Sequence, residues 1–184
     1  MGNKSMSGKM AGILSCDNFS GISGNMEMLL HMIQNGKPEA YALVYGKARM
    51  DCICGNVLLY PLWGGTLVAA EIAGLPAKEG ACGGSFLGFH IHGGEACSGT
   101  ADDAFADADG HFNPAGCEHP FHAGDFPPLL ENHGYALSVF YTDRFTPEEV
   151  VGRTVIIHAM ADDFRTQPSG NSGMKIACGK IMSA

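Results

Sequence analysis

Residues 85–92 read SFLGFHIH, an apolar stretch that ends in two histidines separated by one residue. Alternate side chains of a β-strand point to the same face of its sheet, so a strand here places His90 and His92 side by side. Two imidazoles on one face form a chelate for a metal ion. A lone His-x-His pair is a weak signal, and its weight depends on the rest of the chain.

Short apolar segments on both sides of this stretch predict further strands. They are rich in β-branched or aromatic residues and are separated by glycine-rich turns, and they cover residues 40–45, 56–63, 66–72, 135–141, 153–158 and 175–181. Several short strands joined in this way are typical of an all-β sandwich or a Greek-key barrel.

The strand pattern stops between residues 93 and 132, and a second, shorter loop covers residues 159–174. A loop as long as the first is usually functional or disordered. It contains His111, His119 and His122, and metal ligands can order a loop that has no core of its own. We therefore expect this loop to be functional.

The first loop also holds Asp125, three residues after His122. Three imidazole nitrogens and one carboxylate oxygen make a closed tetrahedral set, which suits structural zinc. His158 ends the strand predicted over residues 153–158 and can join the histidines of the His-x-His pair. With His111, these residues form a four-nitrogen set of the kind that copper(II) accepts.

His111 then belongs to both sets. A histidine that binds through both ring nitrogens has lost both N–H protons, which only two adjacent cations enforce. Asp162 follows His158 closely and can accept N–H groups from ligand histidines, fixing their tautomers.

Composition excludes several classes of partner. The net charge is −8 and the basic residues form no run, which argues against nucleic acids and anionic membranes. No apolar stretch reaches the roughly 18 residues that a membrane span needs. No signal peptide is recognised, so we expect a cytoplasmic protein.

Residues 1–37 differ from the remainder in being rich in Met, Ser, Gly and Asn. We interpret them as an N-terminal leader that is either disordered or forms a short helix over residues 26–33, closed by Asn35-Gly36. Residues 38–184 then form a single domain, whose length is sufficient for a full core.

Residues 39–181 resemble the copper/zinc superoxide dismutase family. In combination and in this order, the motifs that carry the resemblance are highly specific: GFHIH at 88–92, HFNP at 111–114, HAGD at 122–125, VGRTVIIH at 151–158 with ADD at 161–163, and ACG at 177–179.

The resemblance implies an eight-stranded Greek-key β-barrel, often a homodimer, that converts superoxide to dioxygen and hydrogen peroxide. It implies copper ligands at His90, His92, His111 and His158, and zinc ligands at His111, His119, His122 and Asp125. It also implies that Asp162 links the two ligand sets, that His111 bridges the metals and delivers a proton, and that Cys97 and Cys178 form a disulfide.

The chain departs from the family at Lys175, where members carry an arginine that positions the anion. Lysine keeps the charge but loses the planar donor fork. The loop over residues 159–174 is also short, with Arg165 as its only basic residue before Lys175. These departures favour an alternative, a copper/zinc-binding protein of the same fold with little dismutase activity. A zinc hydrolase is disfavoured, because a zinc ion held by four protein ligands has no open position.

The sequence contains seven cysteines, so at least one thiol is unpaired within the chain. Five have no partner in the family pattern: Cys16, Cys52, Cys54, Cys82 and Cys117. A second bridge between Cys82 and Cys117 is one alternative, and burial as small apolar side chains is the other.

Overall fold

The computed structural model describes residues 19–77, 80 and 83–184. Contacts divide the chain into two compact units, one ending at Lys37 and one spanning Pro38–Ala184. Cys16 and Cys82 lie outside the described residues, and the predicted Cys82–Cys117 bridge lies outside them too.

The first unit contains a helix, α1, over Phe19–Asn35. It begins seven residues before the predicted start at residue 26 and ends two residues after the predicted end at residue 33. The amide of Gly36 donates to the carbonyl of Met32 at 2.8 Å, which satisfies one of the last free carbonyls of the helix. No helix among the described residues is both long and apolar enough to cross a membrane.

The second unit is built from strands, and each predicted strand forms with ends that differ by at most two residues. In chain order the strands are β1 (Ala40–Gly46), β2 (Cys54–Leu62), β3 (Gly65–Ala73), β4 (Ser85–Leu87), β5 (Phe89–His92), β6 (Leu129–Glu131), β7 (Tyr135–Thr142), β8 (Thr154–His158) and β9 (Lys175–Ser183). Short 3-10 helices occur at Ala48–Met50, Ala106–Ala108 and Pro147–Val150.

The predicted strand over residues 85–92 is divided in two by Gly88. The Gly88 amide donates to the carbonyl of Met160, and its carbonyl accepts the amide of His158, both at 2.8 Å. A Cβ atom at Gly88 would lie 2.8 Å from the Cβ of Ser172, so only glycine fits between these segments. Gly88 thus lets one strand pair with different partners on its two halves.

The strands close into an antiparallel barrel with Greek-key connections. Seven form a sheet in the order β5–β8–β9–β1–β2–β3–β7, and β4 pairs with β6. A bridge between Asn132 and Tyr135 joins β6 to β7, which completes the circuit. Since β4 and β5 are halves of one segment, the barrel has eight strands in the described part of the chain, and the predicted all-β class is confirmed.

Alternate side chains of β5 and β8 point to opposite faces of the sheet, one towards the barrel interior and one away from it. Phe89 and Ile91 of β5 and Val155 and Ile157 of β8 belong to the hydrophobic core. The residues between them, His90 among them, face the other side of the sheet and are still buried. The two long loops therefore cover this outer face and enclose polar side chains there.

Candidate metal centre

Strand β5 lies between β8 and a segment of the first long loop. His92 forms a β-bridge with His111, and His90 forms one with Asp125. The amide of Phe112 donates to the carbonyl of Ile91 at 2.8 Å, which holds the loop in register with the strand. Backbone pairing therefore brings histidines that are distant in sequence to one place.

The structure brings together the four histidines predicted to hold copper. Each offers one ring nitrogen, and these nitrogens lie within 4.8 Å of one another in the set His90, His92, His111 and His158. The Nε2 atoms of His92 and His158 are 3.3 Å apart. Four imidazole nitrogens at this spacing can surround one metal ion.

Backbone carbonyls fix two of these rings. Nδ1 of His92 donates to the carbonyl of Asp109 at 2.6 Å, and Nδ1 of His158 donates to the carbonyl of Gly173 at 3.1 Å. A ring that carries its proton on Nδ1 presents a lone pair on Nε2. Both Nε2 atoms are therefore set for coordination.

The second predicted set also converges: His111, His119, His122 and Asp125. The Nδ1 atoms of its three histidines lie 2.7, 3.2 and 3.3 Å from the carboxylate oxygens of Asp125, and two of these nitrogens are 3.4 Å apart. A tetrahedral zinc ion with bonds of about 2.0–2.1 Å holds its ligand atoms roughly 3.3 Å apart. The spacing of this set fits zinc.

The carboxylate of Asp162 connects the two sets. It accepts Nε2–H of His90 at 2.8 Å and Nε2–H of His119 at 2.9 Å, one on each oxygen. Burial alone would raise the pKa of Asp162. Hydrogen bonds from His90, from the Phe164 amide and from His119 outweigh it and hold the pKa well below its usual range. Asp162 is therefore ionised and accepts a hydrogen bond from Nε2 of both His90 and His119. The Nδ1 atom of each ring is then directed towards its ligand set.

Three buried ring nitrogens of the two sets have no hydrogen-bond partner among the described residues: Nδ1 of His90, Nε2 of His111 and Nδ1 of His119. An unsatisfied buried polar group costs about 1–3 kcal/mol. A metal ion can accept the lone pairs of these nitrogens, so the nitrogens without a hydrogen-bond partner fit a metal ion at each set.

The environment favours the neutral form of three histidines of the first set, His90, His92 and His158. Burial, followed by repulsion from neighbouring histidines, lowers the pKa of His158 to about 3 and the pKa of His92 well below 6.5. Burial also lowers the pKa of His90, against its hydrogen bond to Asp162. Metals bind neutral imidazole, so protons compete little for these nitrogens near neutral pH.

Lys175 begins β9 and pairs across the sheet with His158. Both side chains line one open cavity, together with His92 and His111. Lys175 therefore lies where an anion approaching the first set would pass. Its Nζ atom donates to Oδ2 of Asp103 at 2.7 Å and to the carbonyl of Phe105 at 3.2 Å.

The β1–β2 connection supplies two further basic residues to this cavity, Lys47 and Arg49. The ammonium of Lys47 donates to the carbonyl of Cys97 and lies 5.0 Å from the centre of the Phe105 ring. Sequence reasoning missed both residues, since it looked for basic residues only in the loop over 159–174.

Sequence reasoning also missed two side chains that hold the first long loop through its backbone. The Gln167 amide accepts the N–H of His119 at 3.0 Å and donates to its carbonyl at 2.7 Å. Nη1 of Arg144 donates to the carbonyls of His122 and Pro120 at 2.9 and 3.2 Å. Contacts to backbone carbonyls leave no spacing pattern that could have revealed them.

Cys97 and Cys178 form a disulfide between the first long loop and β9, the pair that the family resemblance implied. Their sulfur atoms pack with Phe105, Ala108 and Ile156 in a small apolar cluster beside the cavity. Cys52, Cys54 and Cys117 are exposed, and none is disulfide-bonded to another described residue.

Comparison with known proteins identifies the family of the chain. The sequence pattern of the family described as "Copper/zinc superoxide dismutase (SODC)" matches residues 54–181. A "Superoxide dismutase [Cu-Zn]" of Deinococcus radiodurans is 34% identical over 146 residues, which cover 69% of this chain and 76% of that protein. A "Superoxide dismutase-like protein YojM" of Bacillus subtilis is 35% identical over 114 residues, covering 54% and 57%.

The fold is also similar to solved structures. A double mutant of a superoxide-dismutase-like protein from Bacillus subtilis superimposes with a TM-score of 0.64 at 28% identity, covering 78% of this chain and 97% of that one. Another structure, titled as a superoxide-dismutase-like protein from the same species, gives a TM-score of 0.62 at 28% identity, covering 76% and 95%. The chain belongs to the copper/zinc superoxide dismutase family.

Proposed function

We propose that this protein is a superoxide dismutase that holds one copper and one zinc ion in the two ligand sets. The observation that carries the proposal is the complete pair of sets around a shared His111, with buried ring nitrogens that have no hydrogen-bond partner in the described part of the chain. The copper ligands are His90, His92, His111 and His158. The zinc ligands are His111, His119, His122 and Asp125.

The proposed reaction converts two superoxide anions and two protons into one dioxygen and one hydrogen peroxide. Copper would supply the one-electron oxidation of the first anion and the one-electron reduction of the second, and zinc a fixed positive charge. The protein would bind the anion, exclude competing ligands and deliver protons.

Lys175 supports the binding step. Its ammonium lies at the cavity wall, on the residue that pairs with His158 across the sheet. An ammonium is a point charge without the planar donor geometry of a guanidinium, so it attracts a small anion but orients it less. We therefore expect dismutation that is slower than with arginine at this position.

His111 supports the proton step. Its Nδ1 lies 2.7 Å from Oδ1 of Asp125, so this nitrogen belongs to the proposed zinc set. Its Nε2 faces the first set without a hydrogen-bond partner among the described residues. We propose that this nitrogen takes up a proton from water and passes it to the reduced oxygen species.

A second candidate is copper handling on the same fold without useful dismutation. It is favoured by the engagement of the Lys175 ammonium with Asp103, and by the similarity to a relative named only as superoxide-dismutase-like. Cytoplasmic location, a homodimer, the leader boundary at residue 37, and the expectation of no nucleic-acid or membrane partner stay predictions.

The Lys175 series tests the proposed activity. Superoxide decay is measured with wild type, Lys175→Arg and Lys175→Met, each loaded with copper and zinc and compared with its zinc-only form. We expect catalysis in wild type, a higher rate with arginine and a rate lowered roughly tenfold or more with methionine. Wild type no faster than its zinc-only form would favour copper handling instead.

The shared ligand has its own test. His111→Ala removes one ligand from both sets, so we expect weaker zinc affinity and an altered copper(II) paramagnetic resonance spectrum in the same variant. His31→Ala, an exposed histidine of α1, is the control and should change neither. An unaltered copper spectrum together with normal zinc affinity in His111→Ala would show that His111 is not a ligand of both metals.

A further inference from the structure

The ammonium of Lys175 already has an anionic partner. Its Nζ lies 2.7 Å from Oδ2 of Asp103, and it also donates to the carbonyl of Phe105 at 3.2 Å. The Lys175 side chain is only 16% exposed, whereas that of Asp103 is 42% exposed. The positive charge is thus sheltered, and solvent reaches the pair mainly from the carboxylate side.

Asp103 is held in place independently of Lys175. Its Oδ1 accepts the amide of Phe105 at 3.0 Å, and its own amide donates to the hydroxyl of Thr100 at 3.1 Å. The disulfide between Cys97 and Cys178 ties this loop to β9, the strand that begins with Lys175. The carboxylate therefore belongs to an ordered turn.

The ion pair faces the cavity of the first metal set. Asp103 and Lys175 line the same cavity as His92 and His158. The hydrogen bond from Lys175, opposed by burial and helped by the Phe105 amide, holds the pKa of Asp103 below its usual value. Asp103 is therefore charged near neutral pH and offers the ammonium the same kind of partner that an incoming anion would be.

We infer that Asp103 is a competing counter-ion, which engages the ammonium of Lys175 and so weakens the binding of small anions at the first metal set. The inference rests on the proposed copper site. An anion entering the cavity has to share Lys175 with a fixed carboxylate and is also repelled by it. Asp103 thus acts through Lys175, as a positioning residue that limits anion affinity.

Azide binding tests the inference without turnover. Azide affinity is measured from the absorption of the copper(II) form, loaded with zinc, for wild type, Asp103→Asn and Asp102→Asn. Asp102 lines the same cavity and, among the described residues, makes no hydrogen bond to Lys175. The control therefore removes the same charge from the neighbouring position and leaves the ion pair intact.

We expect the dissociation constant of azide to fall roughly threefold to tenfold in Asp103→Asn and by clearly less in Asp102→Asn. Asp103→Glu keeps the carboxylate, so its azide dissociation constant should lie close to the wild-type value. An unchanged azide affinity in Asp103→Asn would overturn the inference, because the carboxylate would then not compete for Lys175. A weaker affinity would also overturn it, because the carboxylate would then hold Lys175 in its productive position.

A second comparison removes the partner. In a Lys175→Met background, Asp103→Asn should change the azide dissociation constant no more than Asp102→Asn does. No ammonium is left there for the carboxylate to engage. Persistence of the full effect there would also overturn the inference. Azide binding needs the copper ion but no dismutation, so an inactive wild type would refute the proposed activity and leave this comparison interpretable.

Discussion

The side chain of Gln167 pairs with the backbone of His119 as a neighbouring strand would. The amide oxygen accepts the N–H of His119 at 3.0 Å, and the amide nitrogen donates to its carbonyl at 2.7 Å. Gln167 belongs to the second long loop and His119 to the first. One side chain thus fixes a proposed zinc ligand from the opposite loop.

Gln167→Ala should weaken zinc binding. Loss of both hydrogen bonds frees the backbone of His119, and loss of a partner behind a metal ligand typically costs about 10–100-fold in affinity. The measurement is zinc competition against a chromophoric chelator. Gln167→Glu keeps the acceptor and loses the donor, so it should fall between wild type and Gln167→Ala. Equal zinc affinity in all three proteins would show that Gln167 does not position the ligand.

Gly170→Ala should damage the link between the metal sets. A Cβ atom at this position would lie 1.8 Å from Oδ1 of Asp162 and 2.7 Å from Nε2 of His119, at a φ of +67°. Asp162 must move, so we expect lower affinity for both metals and a loss of stability beyond about 1 kcal/mol.

Gly152→Ala is the matched control for backbone strain. Gly152 has a φ of +89° with nothing within 4 Å of an added Cβ atom, so this variant should lose stability alone. Metal affinities that fall equally in Gly152→Ala and Gly170→Ala would contradict the role given to the Asp162 contact.

The metal-free protein should lose stability as the pH falls. The pKa of His158 is about 3 in the folded state against 6.5 for an unperturbed histidine, and the pKa of His92 is also lowered. Between these values the unfolded chain binds more protons, so the free energy of unfolding falls from about pH 6.5 towards pH 3. Asp125 and Asp162, whose pKa values are lowered, add a further loss below about pH 4.

Urea denaturation of the metal-free protein at pH 7 and pH 5 measures the histidine part. His158 alone should lower the free energy of unfolding by about 2 kcal/mol between pH 7 and pH 5, and the lowered pKa values of His92 and His90 should add to this loss. His92→Gln, which removes one of the buried rings whose pKa is lowered, should reduce this difference. Identical stability at the two pH values would contradict the burial of neutral histidines at the site.

The disulfide between Cys97 and Cys178 should contribute strongly to stability. It closes a loop with a sequence separation of 81 residues, and constraint of the unfolded chain by such a loop predicts about 4–5 kcal/mol. Cys97→Ser, Cys178→Ser and the double variant should therefore all lower the free energy of unfolding by similar amounts under oxidising conditions. A wild-type melting temperature in any of them would mean that the bridge does not form.

The strands and the ligands could be predicted because each leaves a local pattern. Alternation over residues 85–92 places His90 and His92 on one face, and the chemistry of a metal ligand restricts the choice to few residue types. Strand β6 was missed because it has only three residues, Leu129–Glu131, which follow Pro127-Pro128 and contain no alternation to detect.

Residues that hold the ligands could not be predicted in the same way. Gln167 and Arg144 bind backbone carbonyls and amides, which every residue carries, so no spacing in the sequence marks their targets. Asp103 meets Lys175 across 72 positions of sequence. These contacts depend on how the two long loops pack, which is a property of the folded barrel.

Pulse radiolysis of superoxide, with copper and zinc content measured on the same sample, tests the proposed dismutase activity. For protein carrying one copper and one zinc, we expect a second-order rate constant within roughly tenfold of the diffusional ceiling of about 10⁸–10⁹ M⁻¹s⁻¹. The rate should scale with bound copper and fall at high ionic strength. Full occupancy of both metals with superoxide decaying no faster than in zinc-only protein would contradict the proposed activity.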